Sequence, residues 1–350
     1  MKKKVLFFYS ELAAYFLECA LHLKSIGFEV HIVHLPVNSD APFNFSDRYN
    51  SLRFYDREKF TLRSLYEFSR NINPDIILCS GWRDKIFLDV CKIYFNKIPT
   101  VLLFDNKWEG TIKQKLASYL SPFKLLNRFS HAWVPGVSQF TFAEKLGFNK
   151  DKVYTGFYCA DLNLFSNYYL QRRELNTLPI SKKMLYIGRY SEVKGLPELW
   201  SEFSSIVDEF NLDWELICVG TGDLKPFEHA RIKHVGFVQP QDLSAYIFDA
   251  SLFILPSLIE PWGVIVHEMA AAGLPLILSD KVGAGEVFLV PGENGWLFSS
   301  GSQNSLRRVL LASMNTDSSI LKEMGDRSHA ISSKINHQQW VNVVRSLLDN

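Results

Sequence analysis

Short runs of consecutive apolar residues alternate along this chain with stretches where apolar positions recur every three or four residues. Val5–Tyr9 is the first run. Leu12, Tyr15, Phe16, Cys19 and Leu23 then fall at helical spacing across Glu11–Ile26, and Gly27 supplies a stop. Phe28–Leu35 reads as the next strand, followed by Ile76–Cys79, Thr100–Phe104 and Ala132–Val134, with helical patterns between them. This alternation predicts a parallel sheet covered by helices on both faces.

A second alternating series begins near Met184. MLYIG precedes a helical pattern at Pro197–Phe210. WELICVG, IKHVGF, a helix through Asp242–Phe248, SLFILP, an apolar helix and LPLILSD follow. Polar text at Asp161–Lys183 shows no clear strand and reads as the link between two units. The predicted architecture is α/β, with two doubly wound domains at 1–165 and 166–335. Trp340, Val341, Val344, Leu347 and Leu348 predict an amphipathic helix at 336–350, whose packing partner the pattern leaves open.

Composition narrows the class. The 350 residues are 47% hydrophobic and 21% charged, the profile of a globular chain long enough for two domains. A net charge of +1 gives no electrostatic case for a nucleic-acid binder. Cys19, Cys79, Cys91, Cys159 and Cys218 are scattered and odd in number, which reads as reduced thiols of a cytoplasmic protein. The VLFFYS run after Met-Lys-Lys-Lys is too short for a signal-peptide core, and no stretch approaches the roughly 20 apolar residues of a membrane span.

The chemistry concentrates in two loops of the second series. Glu260-Pro-Trp-Gly-Val-Ile-Val-His-Glu268 joins SLFILP to the apolar helix. Its turn lies at the carboxyl end of a strand, where open α/β sheets bind ligands, and the helix N-terminus presents free N–H groups there. Pro261 and Gly263 suit a tight entry. Glu268 is the lone acid of an apolar helix, so it needs a partner, and a ligand is one candidate. The two carboxylates are spaced to grip an extended ligand, not to act as a close glycosidase pair. His267, about 100° round the helix from Glu268, reads as a packed core residue. The other loop is Tyr186-Ile-Gly-Arg189-Tyr-Ser-Glu-Val-Lys194-Gly195. Arg offers a bidentate grip on phosphate oxygens and Lys a point charge, and fixed cations stabilise a leaving diphosphate. Either charge pair alone is most often a solvated surface feature. Their joint occurrence after strands and before helices is what points to a site.

IGRYSEVKG, VGTGD, the segment from IKHVGF to LPLILSD, and VPGENGWLF together resemble the donor domain of retaining glycosyltransferases of the GT-B fold, in particular family 4 (glycosyl transferases group 1). The resemblance is close over Met184–Phe298 and covers the first half only in layout. It implies two Rossmann-like domains facing each other across a cleft, with a nucleotide-diphosphate sugar as donor and UDP or GDP as the expected nucleotide. Arg189 and Lys194 would hold the diphosphate, and Glu268 the ribose hydroxyls. Glu260, with the backbone N–H groups of Trp262 and Gly263, would face the sugar and diphosphate. Val235 and Phe237 would flank the base, and Gly188, Gly220 and Gly222 would permit close backbone approach. No cofactor or metal is implied. The expected acceptor is a glycan or lipid-linked glycan in surface polysaccharide assembly, such as O-antigen or capsule. A nucleotide-sugar epimerase of the same fold and a non-catalytic nucleotide-sugar binder are the alternatives.

The first half departs from the family. Phe8-Tyr9-Ser10-Glu11-Leu12 lacks the glycine pair that such chains often carry after the first strand. Ser10 is expected to cap the next helix or offer its hydroxyl. Glu11 would repel a diphosphate unless it faces the acceptor. Asp105 stands where many relatives have a histidine, and is either a catalytic-side residue for acceptor hydroxyls or a turn and cap residue. Trp82 and Arg83 are further acceptor candidates, Trp82 as a stacking platform or a packing residue. Ile112–Ser130 mixes Lys113, Lys115, Lys124 and Arg128 with Leu, Tyr and Phe, and Pro122 interrupts it. It reads either as a peripheral contact with the inner membrane face or, more ordinarily, as a solvated face over a core.

Overall fold

The computed structural model describes residues 2–36, 47–175 and 181–349. The described residues divide into two compact units, 1–159 with 335–350, and 160–334.

In the first unit the strands are β1 (Lys4–Tyr9), β2 (Glu29–His34), β3 (Arg53–Asp56), β4 (Ile76–Ser80), β5 (Thr100–Leu103), β6 (His131–Trp133) and β7 (Val153–Tyr154). They form a parallel sheet in the order β3-β2-β1-β4-β5-β6-β7. The chain therefore winds outward one way from β1 and then the other way from β4. Val5 to Phe8 and Ile76 to Leu78 are fully buried, as central strands covered on both faces require. β3 and β7 are short edge strands that no apolar run announced. The first helix begins at Ala14, not Glu11, and Ala13 precedes it without a side-chain cap, so Ser10 does not cap it. The C-terminal helix His337–Asp349 packs in this unit. Trp340 is buried against Trp133, ring centres 4.8 Å apart, and its indole N–H donates to the Phe157 carbonyl at 2.8 Å.

The second unit contains β8 (Lys183–Ile187), β9 (Glu215–Val219), β10 (Ile232–Gly236), β11 (Leu252–Leu255), β12 (Leu276–Ser279) and β13 (Gly295–Phe298). Its parallel sheet runs β10-β9-β8-β11-β12-β13, with the reversal of winding between β8 and β11. The Leu162–Leu175 segment, read from its polarity as part of a link, is a helix of this unit. Phe165 is fully buried there, and polar residues anchor the helix as well. Arg172 donates to the carbonyls of Ala250 (2.9 Å) and Ala272 (3.4 Å), and the Tyr168 hydroxyl donates to the Gln241 carbonyl (3.0 Å). Burial pulls the Arg172 guanidinium down to about 10, so these carbonyls hold a cation in a dry place. Residues 176–180 of the expected link lie outside the described residues.

Candidate functional site

In the second unit the reversal between β8 and β11 brings the two chemically loaded loops side by side. Gly188 and Arg189 follow β8, and the loop Ser257–Trp262 follows β11. A 3-10 turn at Glu192–Lys194 and the helix Leu196–Glu209 follow the first loop, and the helix Val264–Ala271 follows the second. The amides of Leu258 and Ile259 both donate to the Val193 carbonyl, at 2.8 and 3.1 Å, and tie the loops together. Gly195 makes that approach possible. It is left-handed (φ +65°), and a Cβ there would sit 2.3 Å from the Pro256 carbonyl oxygen.

Lys194 and Glu260 meet directly as a partly buried ion pair, and the Ser257 hydroxyl reaches the same carboxylate oxygen at 3.4 Å. The Glu260 backbone is pinned on its other side, where its carbonyl accepts from the Gly283 amide at 3.1 Å. Arg189 is exposed, and its guanidinium makes no hydrogen bond or ion pair among the described residues. The loop under it is braced by two tyrosines. The Tyr186 hydroxyl donates to the Arg189 carbonyl at 2.9 Å, and Tyr190 binds the Cys218 carbonyl and His234 Nδ1 at 3.2 and 2.8 Å. Burial holds both phenols above their ordinary range, so they stay protonated. They were not picked from sequence, although both flank Gly188-Arg189.

The loops after β9 and β10 close in from one side. The Gly220 amide donates to the Gly236 carbonyl at 2.7 Å, and the Tyr190 amide to the Thr221 carbonyl at 2.8 Å. A Cβ on Gly220 (φ +139°) would lie 1.9 Å from the Gly188 carbonyl oxygen, and one on Gly222 would lie 2.3 Å from that of Tyr190. Only backbone fits at these crossings. Val235 is half-buried and Phe237 exposed at the carboxyl end of β10. Gly263 adopts φ +92° immediately before the Val264–Ala271 helix, while the Trp262 side chain is buried.

Glu268 lies on that helix, partly exposed, with no hydrogen bond or ion pair among the described residues. Burial of its carboxyl group, with the nearby Asp161 carboxylate adding, pushes it up to about 8. His267 is different. Its Nδ1 accepts from the Ala160 amide at 3.2 Å, and Nε2 faces the Ser332 carbonyl at 2.9 Å. It stacks on Phe288, so it is a satisfied core residue.

In the first unit the reversal between β1 and β4 opens a pocket of about 420 Å³, and Ser10, Glu11, Trp82, Arg83, Asp105 and Tyr158 are among its lining. The Ser10 and Ser80 hydroxyls are hydrogen-bonded at 2.8 Å across the ends of β1 and β4. Asp105 is not a helix cap. That task falls to Thr111, which accepts from the Gln114 amide, while Asp105 accepts from the Tyr158 hydroxyl at 3.3 Å. Burial, with Tyr15 and Asp105 adding, holds the Tyr158 phenol well above its ordinary range, so it remains a donor. Trp82 packs its ring on Phe104 at 5.3 Å and is half-buried, and Arg83 is exposed. Among the described residues one group has donor atoms at metal-binding separation, Cys19, Cys159 and His337 within 4.8 Å of one another. None of the three lines this pocket.

Residues 181–315 match the sequence model of a family described as glycosyl transferases group 1. The phosphatidyl-myo-inositol mannosyltransferase of Mycobacterium leprae is 30% identical over 152 residues, 41% of this chain and 40% of the relative. The amylovoran biosynthesis glycosyltransferase AmsK of Erwinia amylovora is 29% identical over 144 residues, 37% of this chain and 35% of the relative. The matched stretch is thus less than half of either relative. Among solved structures, Anabaena Alr3699/HepE in complex with UDP superposes with a TM-score of 0.73 at 14% identity, covering 100% of each chain. That likeness shows the fold, the two parallel-sheet Rossmann-like domains of the GT-B glycosyltransferases.

Proposed function

We propose, from a GT-B chain whose second unit carries the group 1 glycosyltransferase domain, that this protein transfers a sugar from a nucleotide-diphosphate sugar with retention of configuration. The observation that carries the reading is the Lys194–Glu260 pair at the β8/β11 reversal, with exposed Arg189 in the same loop as Lys194 and Glu268 without a partner among the described residues. Cations, an anchored carboxylate and glycine-only backbone crossings at one strand-end crevice suit a diphosphate flanked by a nucleoside and a sugar.

In this reading the donor diphosphate lies on Arg189 and Lys194 and takes over the ammonium that Glu260 now holds. Glu260, released, faces the sugar together with the Trp262 and Gly263 amides. Glu268 accepts from the ribose hydroxyls, which supply the donors it lacks. Val235 and Phe237 flank the base. The bond from the anomeric carbon to phosphate breaks with its electrons leaving on the diphosphate. The acceptor oxygen bonds to the same face of that carbon, and its proton passes to the departing phosphate. The two cations stabilise the charge that develops, and no side-chain nucleophile and no metal is required. On the acceptor side, Asp105 orients a hydroxyl, with Tyr158 fixing its carboxylate. Two named relatives, one acting on phosphatidyl-myo-inositol and one in amylovoran biosynthesis, support a lipid-linked or polysaccharide acceptor. UDP is the favoured nucleotide, from the HepE complex, and GDP the second.

The test is incubation with UDP- and GDP-sugars, with and without lipid-linked glycan acceptors, followed by proton NMR of the product anomer. Transfer with retention is expected. An inverted product would overturn the mechanism. Donor conversion without acceptor would assign an epimerase, and binding without any turnover a nucleotide-sugar binding protein.

A further inference from the structure

The helix Ile112–Lys124 in the first unit is built inside out. Ile112, Leu116, Tyr119 and Phe123 are 85%, 56%, 77% and 73% exposed. At 3.6 residues per turn these four fall within an arc of about 60°, so they form one stripe along roughly 16 Å of helix. The face turned to the protein is polar. Gln114 is half-buried and bonds the Glu109 amide and the Lys107 carbonyl. Ser118 and Ser121 follow it, and their hydroxyls are buried with no partner among the described residues. A solvated helix over a core has the opposite arrangement, apolar side in and polar side out. The ordinary sequence reading of this stretch as a solvated face is therefore reversed. Pro122 does not break the helix, which runs on to Lys124.

The charges complete the pattern. Lys113, Lys115 and Lys124 are exposed and form no ion pair among the described residues. On the helical wheel Lys115 borders one side of the apolar stripe, and Lys113 and Lys124 the other. No Asp or Glu occurs between Gly110 and His131. Arg128 is not part of this face, since it is engaged with backbone carbonyls and Asp89. A projecting apolar stripe flanked by lysines is the chemistry that enters a lipid interface, side chains in the acyl boundary and ammonium groups at the headgroups. A second copy of the chain would set lysine against lysine around the same stripe.

We propose that the Ile112–Lys124 helix seats the protein on an anionic lipid surface. The site is independent of the transferase reading, because lipid binding is measured with neither donor nor acceptor. The experiment is flotation of the full chain with vesicles of phosphatidylcholine alone or with about 30% phosphatidylglycerol, at low and high salt. Three proteins are compared: wild type, Tyr119→Ser/Phe123→Ser, and Lys113→Glu/Lys115→Glu/Lys124→Glu. Circular dichroism checks that each is folded, which these surface positions permit. The expected result is binding to the anionic vesicles that falls at least tenfold in either variant, weakens in high salt and is much smaller on phosphatidylcholine. Equal binding by all three proteins, or no vesicle binding by wild type, overturns the proposal. So does a concentration-dependent dimer in sedimentation that the Tyr119→Ser/Phe123→Ser variant abolishes, which would give the face to self-association.

Discussion

The two units share one topology and use it differently at the point where the winding reverses. At β8/β11 the loops are locked together. Added Cβ atoms at Gly195, Gly220 or Gly222 would collide with backbone carbonyls, and an ammonium and a carboxylate already meet. At β1/β4 the glycine that follows β4, Gly81, has φ +70° but nothing within 4 Å of an added Cβ. There a hydroxyl pair, an aromatic wall, the hydrogen-bonded Asp84 and Asp105, and Glu11 and Arg83 surround open volume. Preorganised charge suits a ligand whose diphosphate is always the same. An open pocket lined with hydroxyl, aromatic and scattered charged groups suits a partner whose shape varies between chains of one fold.

The strongest break of this contrast is Lys194→Ala. Losing one preset cation at a leaving phosphate commonly costs about 3–4 kcal/mol of barrier, so transfer should fall on the order of 10²- to 10³-fold in kcat, with the fold intact by circular dichroism. Next is the pair Gly220→Ala and Gly81→Ala. Gly220→Ala forces a backbone crossing apart and should lose about 2–3 kcal/mol in urea unfolding. Gly81→Ala meets only the backbone preference and should lose about 1 kcal/mol. Equal losses would show that the two reversals are built alike.

Glu268→Gln gives a pH signature. The carboxyl has an ordinary value of 4.5 and sits near 8 in the folded chain. Between those values the folded state keeps a proton that the unfolded state has released, so wild-type stability drops as pH rises through this window. Glutamine is free of that loss. The variant's melting temperature should therefore gain on wild type from pH 4.5 to 8 and hold a constant lead above it, a difference on the order of 2 kcal/mol. A lead that does not change with pH contradicts the raised, unpartnered carboxyl. The smallest effect is at the open reversal. Asp105→Asn should raise the acceptor KM about tenfold, roughly 1.4 kcal/mol, and leave donor affinity unchanged.

The same contrast explains what could be read in advance. Arg189, Lys194, Glu260 and Glu268 sit in two continuous stretches, each running from a strand into a helix, so local pattern carries most of the arrangement at the β8/β11 reversal. Gly220 and Gly222, in a third stretch after β9, are marked only by the resemblance, and an added Cβ at either would strike a backbone carbonyl. The first-unit pocket depends on residues far apart in the chain. Asp105 and Tyr158 are 53 positions apart, and Ser10 and Ser80 are 70 apart. No spacing rule brings them together. The Leu162–Leu175 helix is hard to read because few apolar positions mark it: Phe165 is buried, while Tyr168 and Arg172 are held by hydrogen bonds to backbone carbonyls. The Ile112–Lys124 helix has a legible period, but the period alone does not say which face turns inward.

The central claim is that the β8/β11 reversal binds a nucleoside diphosphate through Lys194 and Glu268, and calorimetric titration of UDP and GDP tests it most directly. Wild type should bind at least one of them, with affinity weakened tenfold or more in both Lys194→Ala and Glu268→Gln and unchanged in Asp105→Asn. Neither nucleotide binding to folded wild type, or binding indifferent to the first two substitutions, would contradict it.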